Sequence, residues 1–127
     1  MNYLSLEEVI ILHNDIMEAM NGLKGYNKTQ IGYLESALSH IQNDELYPSF
    51  LDKLTHLIFS CVKFHPFLDG NKRTALYLAK AFIKLNYPKL VREDFYERLE
   101  DVVVEVASDS INKDGLREIL KEMLDIE

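Results

Sequence analysis

His65-Pro66-Phe67-Leu68-Asp69-Gly70-Asn71-Lys72-Arg73-Thr74 separates two apolar stretches, and the reading of those stretches decides the fold. Ahead of it, Leu51, Leu54, Leu57, Ile58, Cys61 and Val62 recur at helical spacing. That helix should stop near His65, because Pro66 disfavours helical geometry in the residue before it. Pro48 is expected in its first turn, where a missing N–H costs nothing. Behind the stretch, Ala75, Leu78, Ala79, Phe82 and Ile83 share the inward side of a helix expected from Asn71 to about Asn86. This second helix reads as nearly apolar all round, and so as the central, buried one.

Helical periodicity continues in both directions. Ser5 with Glu8 three positions later forms a capping box. Leu6, Val9, Ile10, His13, Ile16, Met17 and Met20 follow it at helical spacing, and Asn21-Gly22 ends the run. Gly22 to Lys28 reads as a loop. A helix from about Thr29 to Asn43 carries Ile31, Leu34, Leu38 and Ile41 on one face, and Asn43 to Tyr47 is polar and loop-like. Glu93 to Ala107 and Asn112 to Leu124 give two more helices; the β-branched Val102-Val103-Val104 is too short to overturn the pattern around it. The expected whole is all-α: a compact single-domain bundle of about six helices over residues 1–127, with at most a short hairpin in one loop.

Composition fits one globular domain. The chain has 127 residues, 47% hydrophobic and 28% charged, with few glycines and prolines. A net charge of −7 argues against a broad nucleic-acid-binding face. The single cysteine, Cys61, excludes an internal disulfide framework or a Cys-rich zinc site and reads as inert packing. No apolar run approaches the roughly 18–20 residues of a membrane span. The first residues lack a basic segment followed by an apolar one, so no secretory signal is expected and the cytoplasm is the expected compartment. His13, His40 and His56 lack metal-ligand spacing and read as surface or core-edge residues.

The quoted stretch has the makings of a site. His65 is the side chain best suited to acid–base work near neutral pH. Asp69, four residues on, can hold a hard divalent cation. Gly70-Asn71-Lys72-Arg73 opens a helix, where free N–H groups and the helix dipole favour an anion. From Lys63 to Lys84 there are five cations (Lys63, Lys72, Arg73, Lys80, Lys84) and one acid, Asp69, inside an otherwise acidic chain. That contrast suggests a small local anion site, such as one for a nucleotide phosphate. From Glu93 to Asp109, with seven acids and one arginine, a solvated face is expected. Gly70 to Thr74 is not a phosphate-binding P-loop, because the first glycine and the preceding strand are missing.

The stretch also resembles the active-site motif of the Fic/Doc superfamily, His-x-Phe-x-(Asp/Glu)-(Gly/Ala)-Asn-(Gly/Lys)-Arg. Asn71-Lys72-Arg73-Thr74-Ala75 is similar to the Doc (death-on-curing) branch, the toxins of bacterial toxin–antitoxin pairs, as is Ser5-Leu6-Glu7-Glu8-Val9-Ile10-Ile11-Leu12-His13. The resemblance implies His65 as general base, Phe67 as the structural anchor of the loop, and Asp69 as holder of Mg²⁺ on the phosphates of ATP. It implies Gly70, Asn71, Lys72 and Arg73 as phosphate-binding groups. Lys63, where the best-known Doc protein has arginine, would give a supporting phosphate contact without arginine's planar fork. Gly70 stands where some Doc toxins have alanine.

Two positions separate the branches. AMP-transferring Fic enzymes have glycine where this chain has Lys72, and a second arginine where it has Leu76. Both features imply the Doc reading, with ATP reversed and its γ-phosphoryl presented to a Ser or Thr hydroxyl of elongation factor Tu, arresting translation. A Fic-type AMP-transferase and an inactive binding module are the alternatives. The Ser/Thr-x-x-x-Glu pattern of an internal inhibitory helix is missing: Ser5 is followed by Val9, Thr29 by Tyr33, Ser36 by His40 and Ser110 by Asp114. Restraint is therefore expected from a partner antitoxin whose disordered C-terminal segment folds on binding.

Overall fold

The computed structural model describes residues 1–90, 92 and 94–126. Six helices follow in order: α1 (Leu6–Met20), α2 (Gln30–His40), α3 (Phe50–Lys63), α4 (Asn71–Asn86), α5 (Phe95–Ala107) and α6 (Lys113–Leu124). The expected start of α5 at Glu93 lies outside the described residues. No described helix is long and apolar enough to cross a membrane.

α1 is closed at both ends by its own sequence. Ser5 and Glu8 form the reciprocal capping box, and Asn21 adopts the left-handed conformation, φ 57°, that terminates the helix. α2 ends earlier than the periodicity suggests. The chain tightens there, with Gln42 N–H donating to Ser39 C=O and Asn43 N–H to His40 C=O, and the Asn43 side chain then accepts from Glu45 N–H and Leu46 N–H. An asparagine that captures the backbone ahead of it favours a turn over another helical residue.

α3 begins at Phe50, two residues later than Pro48 in the first helical position suggests. Pro48 precedes the cap rather than entering the first turn. Ser49 is the N-cap, and its exchange with Asp52 makes a second capping box. Asp52 also accepts from Arg117 Nε at 2.7 Å, which ties α6 to the start of α3.

α3 and α4 together form the centre. α3 packs against α2, α4, α5 and α6; α4 packs against α1, α3 and α5. Phe82 of α4 lies between Tyr3 and Phe50, with ring centroids at 6.2 and 5.1 Å. Eight of the sixteen α4 residues are buried, against ten of fourteen in α3. α4 is therefore not apolar all round: Lys72, Tyr77 and Lys84 form an exposed outer side, and the helix before the loop is the more enclosed of the pair. Among the described residues the loops hold no hairpin but one antiparallel bridge, Tyr26 to Phe67, between loops far apart in sequence. That bridge joins the α1–α2 loop to the loop between the two central helices.

Candidate active site

The α3–α4 loop is held from three directions. The first is its own asparagine. Asn71, at the start of α4, accepts from Phe67 N–H with Oδ1 (2.9 Å) and donates from Nδ2 to Phe67 C=O (2.9 Å). These two bonds close the loop like a clasp and leave Phe67 buried at 1% exposure, an anchor as its place in the sequence suggests. The same Nδ2 lies 3.3 Å from His65 Nδ1. His65 itself is exposed and has a positive φ of 49°.

The second hold comes from the α1–α2 loop. Asn27 N–H donates to Pro66 C=O at 2.9 Å, and its side-chain Nδ2 donates to His65 C=O at 2.9 Å and Phe67 C=O at 3.3 Å. Leu68 N–H donates to Gly25 C=O at 3.1 Å. Leu23 N–H reaches the Asp69 carboxylate at 3.0 Å, so that exposed acid has one oxygen fixed.

The third is α1, beneath the loop. The His13 ring stacks face to face on Phe67, with centroids 3.9 Å apart, and its Nε2 lies 2.8 Å from Asp69 C=O. Met17 lies against Gly70, which adopts φ 74°. The left-handed turn there favours glycine, and a Cβ would run into the Met17 methyl. His13, expected at the surface or core edge, is instead buried at 1% exposure. Burial follows from its two partners: the ring face has an aromatic to cover it, and the N–H has a carbonyl to meet.

Asp69, Gly70, Asn71, Lys72 and Arg73 line one side of a cavity of about 370 Å³, with Leu76 from the second turn of α4. Met20, Glu100, Val103 and Val104 complete it. Intrahelical bonding in α4 starts with Thr74 N–H donating to Gly70 C=O, so the N–H groups before it precede the ladder. The cavity thus combines a helix start, two cations and two carboxylates, Asp69 beside the helix start and Glu100 across from it on α5. Among the described residues no three His, Cys, Asp or Glu side chains converge as a metal cage. The exposed Asp69 carboxylate beside the anion cradle fits Mg²⁺, which keeps most of its waters and shares its coordination with phosphates.

Residues 3–83, from ahead of α1 to near the end of α4, match the Fic/DOC family. The chain belongs to that family. Among its relatives, a protein named Toxin Doc from Mycolicibacterium smegmatis is 33% identical over 89 residues, covering 67% of this chain and 68% of the relative. A protein named Protein kinase doc from Escherichia phage P1 is 28% identical over 127 residues, covering 97% and 96%. The similarity falls on the Doc side of the Fic/DOC family.

Not every expected site residue reaches the cavity. Asp69, Gly70, Asn71, Lys72 and Arg73 line it; His65 does not, but its Nδ1 lies 3.3 Å from Nδ2 of the lining Asn71. Lys63 is not among the lining residues; its ammonium pairs with the carboxylate of Asp109, beyond the end of α5. The acidic segment therefore does more than face solvent, since Asp109 holds Lys63 and Glu100 looks onto the cavity. Cys61 is packing: burial pushes its thiol up to about 12, and its Sγ lies 3.6 Å from Asn71 C=O.

Proposed function

We propose that this member of the Fic/DOC family is the toxin of a toxin–antitoxin pair, and a protein kinase that moves the γ-phosphoryl of ATP to a Ser or Thr hydroxyl. The relatives' names support the first part, and one of them supports the second. The observation that carries the kinase reading over AMP transfer is the distribution of charge along α4. Lys72 and Arg73 stand in the first turn, while the second turn offers the cavity only Leu76, 9% exposed beside Val103. A triphosphate is best neutralised where the cations are, at the loop end. With no second cation to grip the distal phosphates away from His65, the reversed pose is favoured, with the γ-phosphoryl nearest the loop.

In this reading His65 takes the hydroxyl proton of the target, Lys72 and Arg73 neutralise phosphate charge, and the free N–H groups at the α4 start receive phosphoryl oxygens. Asp69 and the phosphates would hold Mg²⁺, which supplies charge neutralisation between them when bound. Elongation factor Tu is the proposed target, on the family resemblance, and an antitoxin segment that orders on binding is the proposed restraint. The test is ATP labelled at the α- or the γ-position, incubated with the chain and purified elongation factor Tu. Label is expected from the γ-position, with a mass gain of one phosphoryl group. Transfer of the α label would establish the AMP-transferase reading instead.

A further inference from the structure

His13 has no part in the reading above, yet it sits directly beneath the motif. Its ring is parallel to Phe67, with an interplanar angle of 7°, and a phenylalanine would stack as well. What phenylalanine lacks is the polar contact: Nε2 lies 2.8 Å from Asp69 C=O. A carbonyl oxygen only accepts, so Nε2 carries the proton, and His13 donates. The Asp69–Gly70 peptide is trans and planar, so its N–H points opposite its C=O. Drawing the C=O toward α1 therefore turns the Gly70 N–H away from α1. Gly70 lines the cavity, and Met17 blocks its other side.

We infer that His13 is a positioning residue for the phosphate cradle: its Nε2–H fixes the Asp69–Gly70 peptide so that the Gly70 N–H joins those of Asn71, Lys72 and Arg73 in presenting donors to a phosphoryl group. The orientation follows from the hydrogen bond and the planar peptide. Only the identity of the ligand rests on the proposed kinase reading. The same bond keeps Asp69 at the mouth of the cavity, where Leu23 N–H fixes its carboxylate.

The test compares His13→Phe, which keeps the stack and drops the donor, with His13→Gln, which restores a donor without the ring. The readouts are melting temperature, affinity for a non-hydrolysable ATP analogue with Mg²⁺, and the Gly70 amide resonance in the nucleotide-free protein. His13→Phe is expected to stay folded, to bind the analogue about tenfold more weakly, as for one lost hydrogen bond to a charged group, and to shift the Gly70 amide. His13→Gln should recover part of both. A purely structural role would lower the melting temperature in both variants and leave affinity and the Gly70 resonance of the folded protein unchanged, which overturns the inference. A bare Nε2 on His13 in the wild-type protein, read from its ring nitrogen shifts, overturns it even if neither variant folds. Wild-type protein that binds no ATP analogue would defeat the kinase reading instead, and the Gly70 amide and the His13 ring proton would still decide this one.

Discussion

Asn71 meets His65 with a donor, not an acceptor: Nδ2 lies 3.3 Å from His65 Nδ1. The amide cannot be turned over, because its Oδ1 already receives Phe67 N–H and its Nδ2 already serves Phe67 C=O. In the neutral ring, Nδ1 therefore holds the lone pair and Nε2 the proton. The expected outcome is an Nε2–H tautomer for His65 in the nucleotide-free protein, measured by its ring nitrogen shifts. Asn71→Ala should lose this bias, and about 1–3 kcal/mol of stability as the buried Phe67 backbone loses its partners. Equal populations of the two tautomers in the wild-type protein would show that Asn71 does not orient the ring.

His65→Ala separates chemistry from folding. The side chain is exposed and its backbone already adopts a positive φ, so its removal should shift the melting temperature by no more than a few degrees. Loss of a general base lowers rate by about 10²–10⁴-fold. Growth arrest by His65→Ala at a protein level equal to wild type would remove His65 from that role.

Asp69→Asn tests the metal assignment without breaking the loop. An asparagine oxygen still accepts from Leu23 N–H, so the fold should be retained. The lost charge should raise the Mg²⁺ concentration needed for half-maximal transfer by about tenfold or more, the scale of one charge-assisted contact. Calorimetry of Mg²⁺ with the protein alone should show little binding in either form. Unchanged Mg²⁺ dependence would leave Asp69 as a loop-fixing residue only.

The helices were legible because each is marked by local chemistry: Ser5 with Glu8 at the start of α1, Pro66 after α3, apolar residues at helical spacing throughout. The motif was legible because its residues are contiguous. What could not be read is what reaches across the chain. Asn27 lies 38 residues from His65 and His13 lies 56 from Asp69, and neither carries a pattern of its own that names its partner. Lys63 had the right charge for a phosphate contact, but its partner is Asp109, 46 positions away. At Pro48 the ambiguity is local: two first-turn signals stand side by side, and the Ser49–Asp52 box determines where α3 starts.

Gly70 and Met17 should behave as a coupled pair. Alanine at Gly70 meets a left-handed backbone, costing about 1–2 kcal/mol, and a collision with the Met17 methyl. Met17→Ala alone leaves a void among buried neighbours and costs about 2–5 kcal/mol. Combined, the added methyl occupies space that the methionine vacates, so the double variant should be more stable than the sum of the single effects. A double-mutant cycle by denaturant unfolding measures this, with a coupling of about 0.5–3 kcal/mol expected. Strict additivity would mean that the backbone conformation alone selects glycine there.

Stability should fall in mild acid because of His56, on α3 ahead of the motif and packed toward the start of α6. Its pKa is lowered from 6.5 to about 4, by burial first and then by the nearby charges of Lys113 and His40. Its ring stacks on Tyr47, and the Lys113 ammonium donates to Nδ1 at 2.7 Å, a bond that only the unprotonated nitrogen can accept. Between those two pH values the unfolded chain takes up a proton that the folded chain refuses. Stability is therefore fully present above about pH 6.5 and is lost as pH falls toward 4. Asp52 does not account for that window: burial raises its pKa, the bonds from Arg117 and Ser49 outweigh it, and the net result lies below 3.8. His56→Gln keeps an acceptor for Lys113 and removes the titration. Its melting temperature should therefore decline clearly less than that of the wild type between pH 7 and pH 4.5. Parallel declines would show that His56 is not the group being protonated.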